Sequence, residues 1–218
     1  MVDESFAAQR DRMIAEQLVA RGIVDTAVLH AFHTIPREQF VPPAYRAYAY
    51  DDTPLPIPAD QTISQPYVVA YMLSLVYLSR RDRVLEIGAG SGYAAALLSQ
   101  IVAEVYTVER HAELVAYARQ RIAELALPNV WVRHGDGSLG WPAHAPYDAI
   151  LVAAGGPEVP ASLKAQLALN GRLIMPVGRS QRRQRLVLVC RRGDTVFEES
   201  SRAPVAFVPL IGQEGWES

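Results

Sequence analysis

The 218-residue chain has a single cysteine, Cys190, so no intramolecular disulfide can staple the fold and stability must come from a packed core. It has no run of 18 apolar residues, which leaves out a membrane-spanning helix. The first residues, MVDESFAAQRDR, lack the apolar centre of a secretory signal. Charge of one sign is scarce as well. A formal net charge of -2 does not suit a surface built to neutralise many phosphates, so neither nucleic acid nor a membrane is expected as a partner. The five histidines, His30, His33, His111, His134 and His144, show no ligand spacing, and no metal is expected. Cys190, within LVLVCRR, reads as a buried strand thiol rather than a reactive one. These absences describe a cytoplasmic protein, expected as a monomer.

What is present is apolar. Half the residues are hydrophobic, enough at this length for one large domain with a sizeable core. The most informative stretch is VLEIGAGSGYAAALL at residues 84–98. Val84, Leu85 and Ile87 read as a buried strand, Gly88, Gly90 and Gly92 allow a sharp turn, and residues 93–100 read as the helix that follows. Loop amides at such a junction form a polar cradle for a nucleotide-like ligand. A tight turn without a ligand is the bland alternative.

From residue 83 onward strands and helices alternate at spacings that suit a parallel sheet with helices on both faces. Strands are expected at 83–87, 104–108, 130–133, 147–152 and 171–177, with helices at 93–100, 111–126 and 162–169 and a loop at 135–146. Residues 184–191 and 195–198, around Arg192-Gly193-Asp194, read as an antiparallel hairpin, with 206–210 as a final strand. Upstream, 5–20 reads as an amphipathic helix that Gly22 ends, and 26–33 as a second helix capped by Asp25 and stopped by Pro36. Residues 40–50 read as an ordered connection. Pro54, Pro56 and Pro58 exclude a helix or central strand at 51–65. Ser64, just before Pro66, has the arrangement of an N-cap, or of a hydroxyl facing an anionic ligand at a helix N-terminus.

Two cofactor classes use such a glycine loop. A dinucleotide fold wants a small residue where this chain has Tyr93. Glycines at alternate positions 88, 90 and 92 resemble motif I of the class I S-adenosylmethionine-dependent methyltransferases instead. Glu109, ending the next strand, stands where a carboxylate accepts ribose hydroxyls. Asp136, in His134-Gly135-Asp136-Gly137, follows the third strand, where this class places an acidic residue facing the adenine amino group. For the acceptor, Ala153-Ala154-Gly155-Gly156 after the fourth strand offers no orienting polar side chain of the kind that base-amine methylation uses. A carboxylate acceptor is already ionised near neutral pH and needs no general base.

PLPIPADQTISQPYVVAYM, RVLEIGAGSGY, GDGSLGWPAHAPYDAILVAAGGPEVP, GRLIMPVG, FVPLIG and the early IPREQFVP resemble the protein-L-isoaspartate O-methyltransferase family over essentially the whole chain. The resemblance implies an α/β, Rossmann-like class I methyltransferase fold: a mostly parallel sheet, an antiparallel C-terminal hairpin and a helical N-terminal extension. Residues 1–218 then form a single methyltransferase domain, with 1–80 as the helical extension and substrate loop and 81–218 as the cofactor-binding sheet and hairpin. It implies transfer of a methyl group from S-adenosylmethionine, leaving S-adenosylhomocysteine, to the free α-carboxylate of L-isoaspartyl residues in damaged peptides and proteins. The ester closes to a succinimide, whose hydrolysis returns some normal aspartate. By the same resemblance Ser64 is the catalytic residue, its hydroxyl bonding the substrate carboxylate. Gln61, Thr62, Ile63, Val208, Pro209 and Leu210 meet the substrate. Glu86, Gly88, Ala89, Gly90, Ser91, Gly92, Glu109, Arg110, Asp136 and Gly137 hold the cofactor.

One departure stands out: the family commonly has glycines where this chain has Pro58 and Asp60. That leaves open a carboxylate acceptor in a dedicated peptide or another molecule; a cofactor-binding protein without catalysis is the third reading. Arg179, Arg182, Arg183 and Arg185 form the one strong charge cluster, which reads as a solvated loop.

Overall fold

A computed structural model describes residues 5–180 and 183–217. Ser5 caps α1 (Phe6–Met13), accepting from the Ala8 amide. The helix continues as a wide turn over Ile14–Leu18 and a tight one over Val19–Arg21, then ends at Gly22 with φ +89°. The left-handed backbone there is the stop that glycine permits. Asp25 caps α2 (Thr26–Thr34) through the Ala27 and Val28 amides. Single-turn helices at Arg37–Phe40 and Pro43–Tyr48 make the ordered connection.

Residues 51–65 hold more order than their prolines suggest. β1 (Leu55–Ile57) and β2 (Gln61–Ile63) pair antiparallel, Leu55 opposite Ile63 and Ile57 opposite Gln61. Leu55 and Ile57 are buried while Pro56 faces out, so proline costs this small sheet no inward contact. The connecting turn places Ala59 and Asp60 at φ +58° and +54°. Left-handed backbone is strained for both, less so for Asp, whose short polar side chain tolerates it. Next comes α3 (Pro66–Leu75), whose N-cap is Gln65 with no side-chain bond. The expected Ser64 cap is therefore absent. With Pro66 at the first helical position, Ser64 falls one residue outside the cap.

β3 (Arg83–Ile87), α4 (Tyr93–Ser99), β4 (Glu104–Glu109), α5 (Ala112–Glu124), β5 (Val130–His134) and β6 (Tyr147–Val152) follow the expected alternation. The stretch expected as a helix at 162–169 divides into a short α6 (Ala161–Ala165) and the start of β7 (Leu167–Ser180), because Leu167 is recruited opposite Tyr147 of β6. β8 (Arg183–Arg191) and β9 (Phe197–Val205) are antiparallel. Residues 206–210 are not a strand: β9 ends at Val205 and the chain crosses to Gly155 by a single bridge at Pro209. The sheet order is β5-β4-β3-β6-β7-β8-β9, parallel from β5 to β7.

Each central strand is buried on both faces and so is mostly apolar on both, with Glu86, Thr107 and Glu109 as buried polar exceptions. Alternate residues divide between two cores. One gathers α1 to α5 with the sheet, including Phe32, Phe40, Leu73, Tyr93, Leu97 and Leu114. The other, with Leu85, Tyr106, Tyr147, Ile150 and Leu163, is covered by α6 and loops. The helices thus lie unequally on the two faces, and the N-terminal extension is part of the larger core.

Replacing Ala59 by glycine should stabilise the protein by about 0.5–1 kcal/mol, the left-handed strain relieved less glycine's unfolded-state entropy. Urea unfolding measures it, and a loss of stability would contradict the turn geometry.

Candidate active site

The carboxyl ends of β3, β4 and β6 open onto one cleft. β3 is pinned there from both sides: the Gly88 amide donates to the Val108 carbonyl at 2.8 Å and the Ala153 amide to the Ile87 carbonyl at 2.8 Å. The chain then turns through left-handed backbone at Gly88, Gly90 and Gly92. Gly92 is doubly constrained. Its φ is +88°, and a Cβ there would lie 3.2 Å from the Ala118 Cβ on α5, so glycine lets α4 start against its neighbour. Gly137 has a purely steric reason: a Cβ would lie 2.4 Å from Ile87 Cγ2.

Two buried carboxylates face this turn. Glu109 is held by backbone, its Oε2 accepting from the Gly90 amide at 3.0 Å and its Oε1 from the His111 amide at 2.9 Å. Glu86 is 1% exposed and accepts from the Thr107 hydroxyl at 2.6 Å. Burial pushes its pKa up to about 8, with the Thr107 bond opposing the rise and nearby Glu109 adding to it. Burial thus favours the protonated form of Glu86.

Gln61, Thr62, Ile63 and Ser64 form another wall, and Val208, Pro209 and Leu210 a third. Among the described residues the Ser64 hydroxyl makes no hydrogen bond, while the Ser64 carbonyl accepts from Arg37 Nη2 at 2.8 Å. Arg37 is fully buried and, among the described residues, has no carboxylate partner. Its Nε donates to the Ala49 carbonyl at 2.7 Å, and its guanidinium lies 4.9 Å from the Tyr93 ring centroid. Burial lowers its pKa, and the neighbouring Tyr93 and Tyr50 partly offset this. The sequence alone does not mark Arg37 as a site residue. The only trace of it in the chain is its place in IPREQFVP, because its partners lie 12 and 27 residues away.

The 208–210 wall is tied down by backbone. The Gly155 amide donates to the Val208 carbonyl, and the Leu210 amide to the Gly155 carbonyl, each at 2.8 Å. The Trp216 amide donates to the Leu210 carbonyl at 2.7 Å. Among the described residues this leaves the Val208 amide and the Pro209 carbonyl with no protein partner for an arriving peptide.

Of the expected cofactor residues, Glu86, Gly88, Ala89, Gly90, Ser91, Glu109, Arg110 and Gly137 line the cleft. Gly92 and Asp136 stand behind it. Asp136 Oδ1 accepts from the Ser138 amide and hydroxyl, and Oδ2 from the Gln213 amide at 2.7 Å. Burial would raise its pKa, but the bonds from Gln213 and Ser138 and the charge of Arg110 outweigh it and the pKa is lowered. Its carboxylate ties Ser138 to Gln213 of the C-terminal segment. Tyr93, Met72, Phe207 and Ala153-Ala154 also line the cleft. The apolar ones were legible only as core.

A parallel sheet whose strand ends carry a glycine turn and an anchored carboxylate beside a cleft is a Rossmann-like nucleoside-binding arrangement, and Tyr93 where a dinucleotide fold wants a small residue points to the methyltransferase class. The glycine cradle, with Glu109 held at its rim, suits a nucleoside. The profile of the protein-L-isoaspartate(D-aspartate) O-methyltransferase family matches residues 8–215. The protein-L-isoaspartate O-methyltransferase 1 of Rhodopseudomonas palustris strain HaA2 is 58% identical, over 98% of this chain and 87% of its own. That of Brucella anthropi is 50% identical, over 97% of each. A solved protein-L-isoaspartate O-methyltransferase superposes with a TM-score of 0.86 at 32% identity, over 94% of this chain and 67% of its own. A Plasmodium falciparum beta-aspartate methyltransferase in complex with S-adenosyl-L-homocysteine gives 0.80 at 25% identity, over 93% and 98%. The chain belongs to the protein-L-isoaspartate(D-aspartate) O-methyltransferase family, whose cofactor is S-adenosylmethionine.

Glu86 yields a pH prediction with a defined sign. The unfolded chain loses this proton near its ordinary pKa of 4.5, whereas the folded chain keeps it until about pH 8. Between those values rising pH favours unfolding, and above the upper one the effect saturates. The stability of Glu86→Gln relative to the parent should therefore grow by up to about 1.4 kcal/mol per pH unit from about pH 5 to about pH 8. Urea unfolding across that range reads it, and a constant difference would mean that Glu86 is already ionised in the fold.

Proposed function

We propose that this cleft methylates the free α-carboxylate of an L-isoaspartyl residue presented on a peptide, with Ser64 as the residue that aligns it. The observation that carries this reading is the uncommitted Ser64 hydroxyl. It neither caps α3 nor bonds any described residue, yet it stands in a cleft wall beside the glycine turn. S-adenosylmethionine, when bound, supplies a methyl group on a sulfonium, an electrophile that a carboxylate attacks without a general base.

The protein's tasks are then placement and exclusion of water. Gly88, Ala89, Gly90, Ser91 and Gly137 provide close backbone approach for the cofactor. Glu109 is the acceptor for ribose hydroxyls, held ready by two amides. Glu86 and Arg110 complete that wall, and Gly92 and Asp136 support it from behind. Thr62 and Ile63 flank the acceptor residue, Gln61 borders the entrance, and the free Val208 amide and Pro209 carbonyl pair with the substrate backbone. Arg37 holds the Ser64 carbonyl and so sets where the hydroxyl points. The larger core that joins the N-terminal helices to the sheet supports treating residues 1–218 as one methyltransferase domain. We take the protein to be a monomer, every residue given a role here belonging to one chain. Among the described residues no helix is long and apolar enough to cross a membrane, and the lone, half-buried Cys190 suits a reducing cytoplasm.

Two peptides that differ only in an L-isoaspartyl or L-aspartyl linkage, incubated with labelled S-adenosylmethionine, test the reaction. Label should enter the isoaspartyl peptide alone, and equal or absent labelling of both would sink the reading. Ser64→Ala should lower kcat/KM by about ten- to a hundredfold, the worth of a hydrogen bond to a charged group. Its unfolding free energy should stay within about 0.5 kcal/mol of the parent, since the hydroxyl has no bond to lose. A stability loss of about 1 kcal/mol with activity per folded molecule unchanged would return Ser64 to a capping role.

A further inference from the structure

Charges of opposite sign lie outside the cleft lining, each next in sequence to a residue that builds or holds one of its walls. Asp60 adjoins Gln61, the first residue of the Ser64 wall, and is exposed with no ion pair among the described residues. On the other side, Gln184 is buried behind the 208–210 wall. Its Nε2 donates to the Phe207 carbonyl at 3.1 Å and its Oε1 accepts from the Phe207 amide at 2.8 Å. Gln184 lies between Arg183 and Arg185, which are exposed on β8, and Arg179 is exposed on the paired strand β7. Among the described residues none of these three arginines meets a carboxylate. Arg185 spends its donors on the Ser201 hydroxyl and the Arg202 carbonyl, which fixes its charge without neutralising it. Arg182 lies outside the described residues.

We propose that this polarity selects substrates by the charge flanking the acceptor: acidic residues on the side that reaches Arg179 and Arg183 promote methylation, and acidic residues on the Asp60 side oppose it. The proposal rests on the isoaspartyl reading and names the substrate class within it, acidic peptide segments. Continuity with the cleft favours a peptide over a nucleic acid, since the arginines adjoin the residue that holds the cleft wall and carry no interleaved aromatic platform for bases. Rim charges act mainly on encounter and are screened by salt.

Three isoaspartyl peptides test this, with neutral flanks, with two acidic residues before the acceptor, and with two after it. At low salt one acidic placement should raise kcat/KM about three- to tenfold over the neutral peptide and the other should lower it. Both effects should fade near about 0.5 M sodium chloride. An Arg179→Ser, Arg183→Ser double variant should remove the gain, and Asp60→Asn, which keeps a residue tolerant of left-handed backbone, should remove the loss. Equal kcat/KM for the three peptides, or differences that the variants leave unchanged, would overturn the proposal. If even the neutral isoaspartyl peptide stays unmethylated, it is the reaction assignment that fails. Salt-sensitive binding of a labelled single-stranded oligonucleotide, lost in the arginine variant while peptide ratios persist, would assign the patch to nucleic acid instead and end this proposal.

Discussion

The cleft depends on β3 being paired on both sides as far as its last carbonyl. Ile87 gives that carbonyl to Ala153, and the next amide, at Gly88, is already bound to Val108. A loop that leaves a strand so held has no freedom at its origin, so three glycines can turn it without making it mobile. The same two bonds bring the ends of β4 and β6 to one level. Glu109 and Ala153-Ala154 therefore arrive beside the turn as a consequence of sheet register rather than by separate design. Glu109 closes the arrangement by taking the Gly90 amide in mid-loop.

The substrate half lacks such a frame and is held from outside the sheet. Arg37 reaches the Ser64 carbonyl from a single-turn helix in the N-terminal extension, and its other strong bond, to Ala49, belongs to that extension as well. Burying a cation without a carboxylate is costly. Hydrogen bonds to carbonyl dipoles and the Tyr93 face offset that cost here. The C-terminal wall is held by Gly155 and by Gln184, from β8. The walls that meet a substrate thus belong to segments that pack on the sheet without being part of its parallel core.

How much of this could be read in the chain follows from how local each cause is. β3 and β6 are legible to the residue, since a strand buried on both faces shows itself as an apolar run bounded by turn signals. The glycine turn and Glu109 are legible because sheet order fixes them once the strands are placed. The β1–β2 hairpin was hidden by prolines that face outward, and their local message, no helix and no central strand, was correct but incomplete. At 167–169 the local pattern favours helix, and pairing with β6, 20 residues upstream in register, overrides it. Ser64 is the sharpest case. It looks like the cap of the following helix, but Pro66 at the first helical position makes Gln65 the cap, and the Ser64 carbonyl is held instead by a guanidinium 27 residues away.

The placement of Arg37 also fits the charge change that carboxylate methylation requires. The acceptor enters as an anion and loses its charge as the new bond forms, so a cation aimed at it would stabilise the starting state more than the transition state and slow the step. Orientation without added positive charge is the better use of a nearby donor. Arg37 satisfies this: its described hydrogen bonds go to backbone carbonyls and its guanidinium lies beside Tyr93, so in the proposed reaction the group that meets the acceptor is the neutral Ser64 hydroxyl. The charges that help an anionic peptide find the cleft then belong farther out, where they assist encounter and have little hold on the reacting atoms. Arg179 and Arg183 lie outside the cleft lining, and Gln184, next to Arg183, holds Phe207 in its wall.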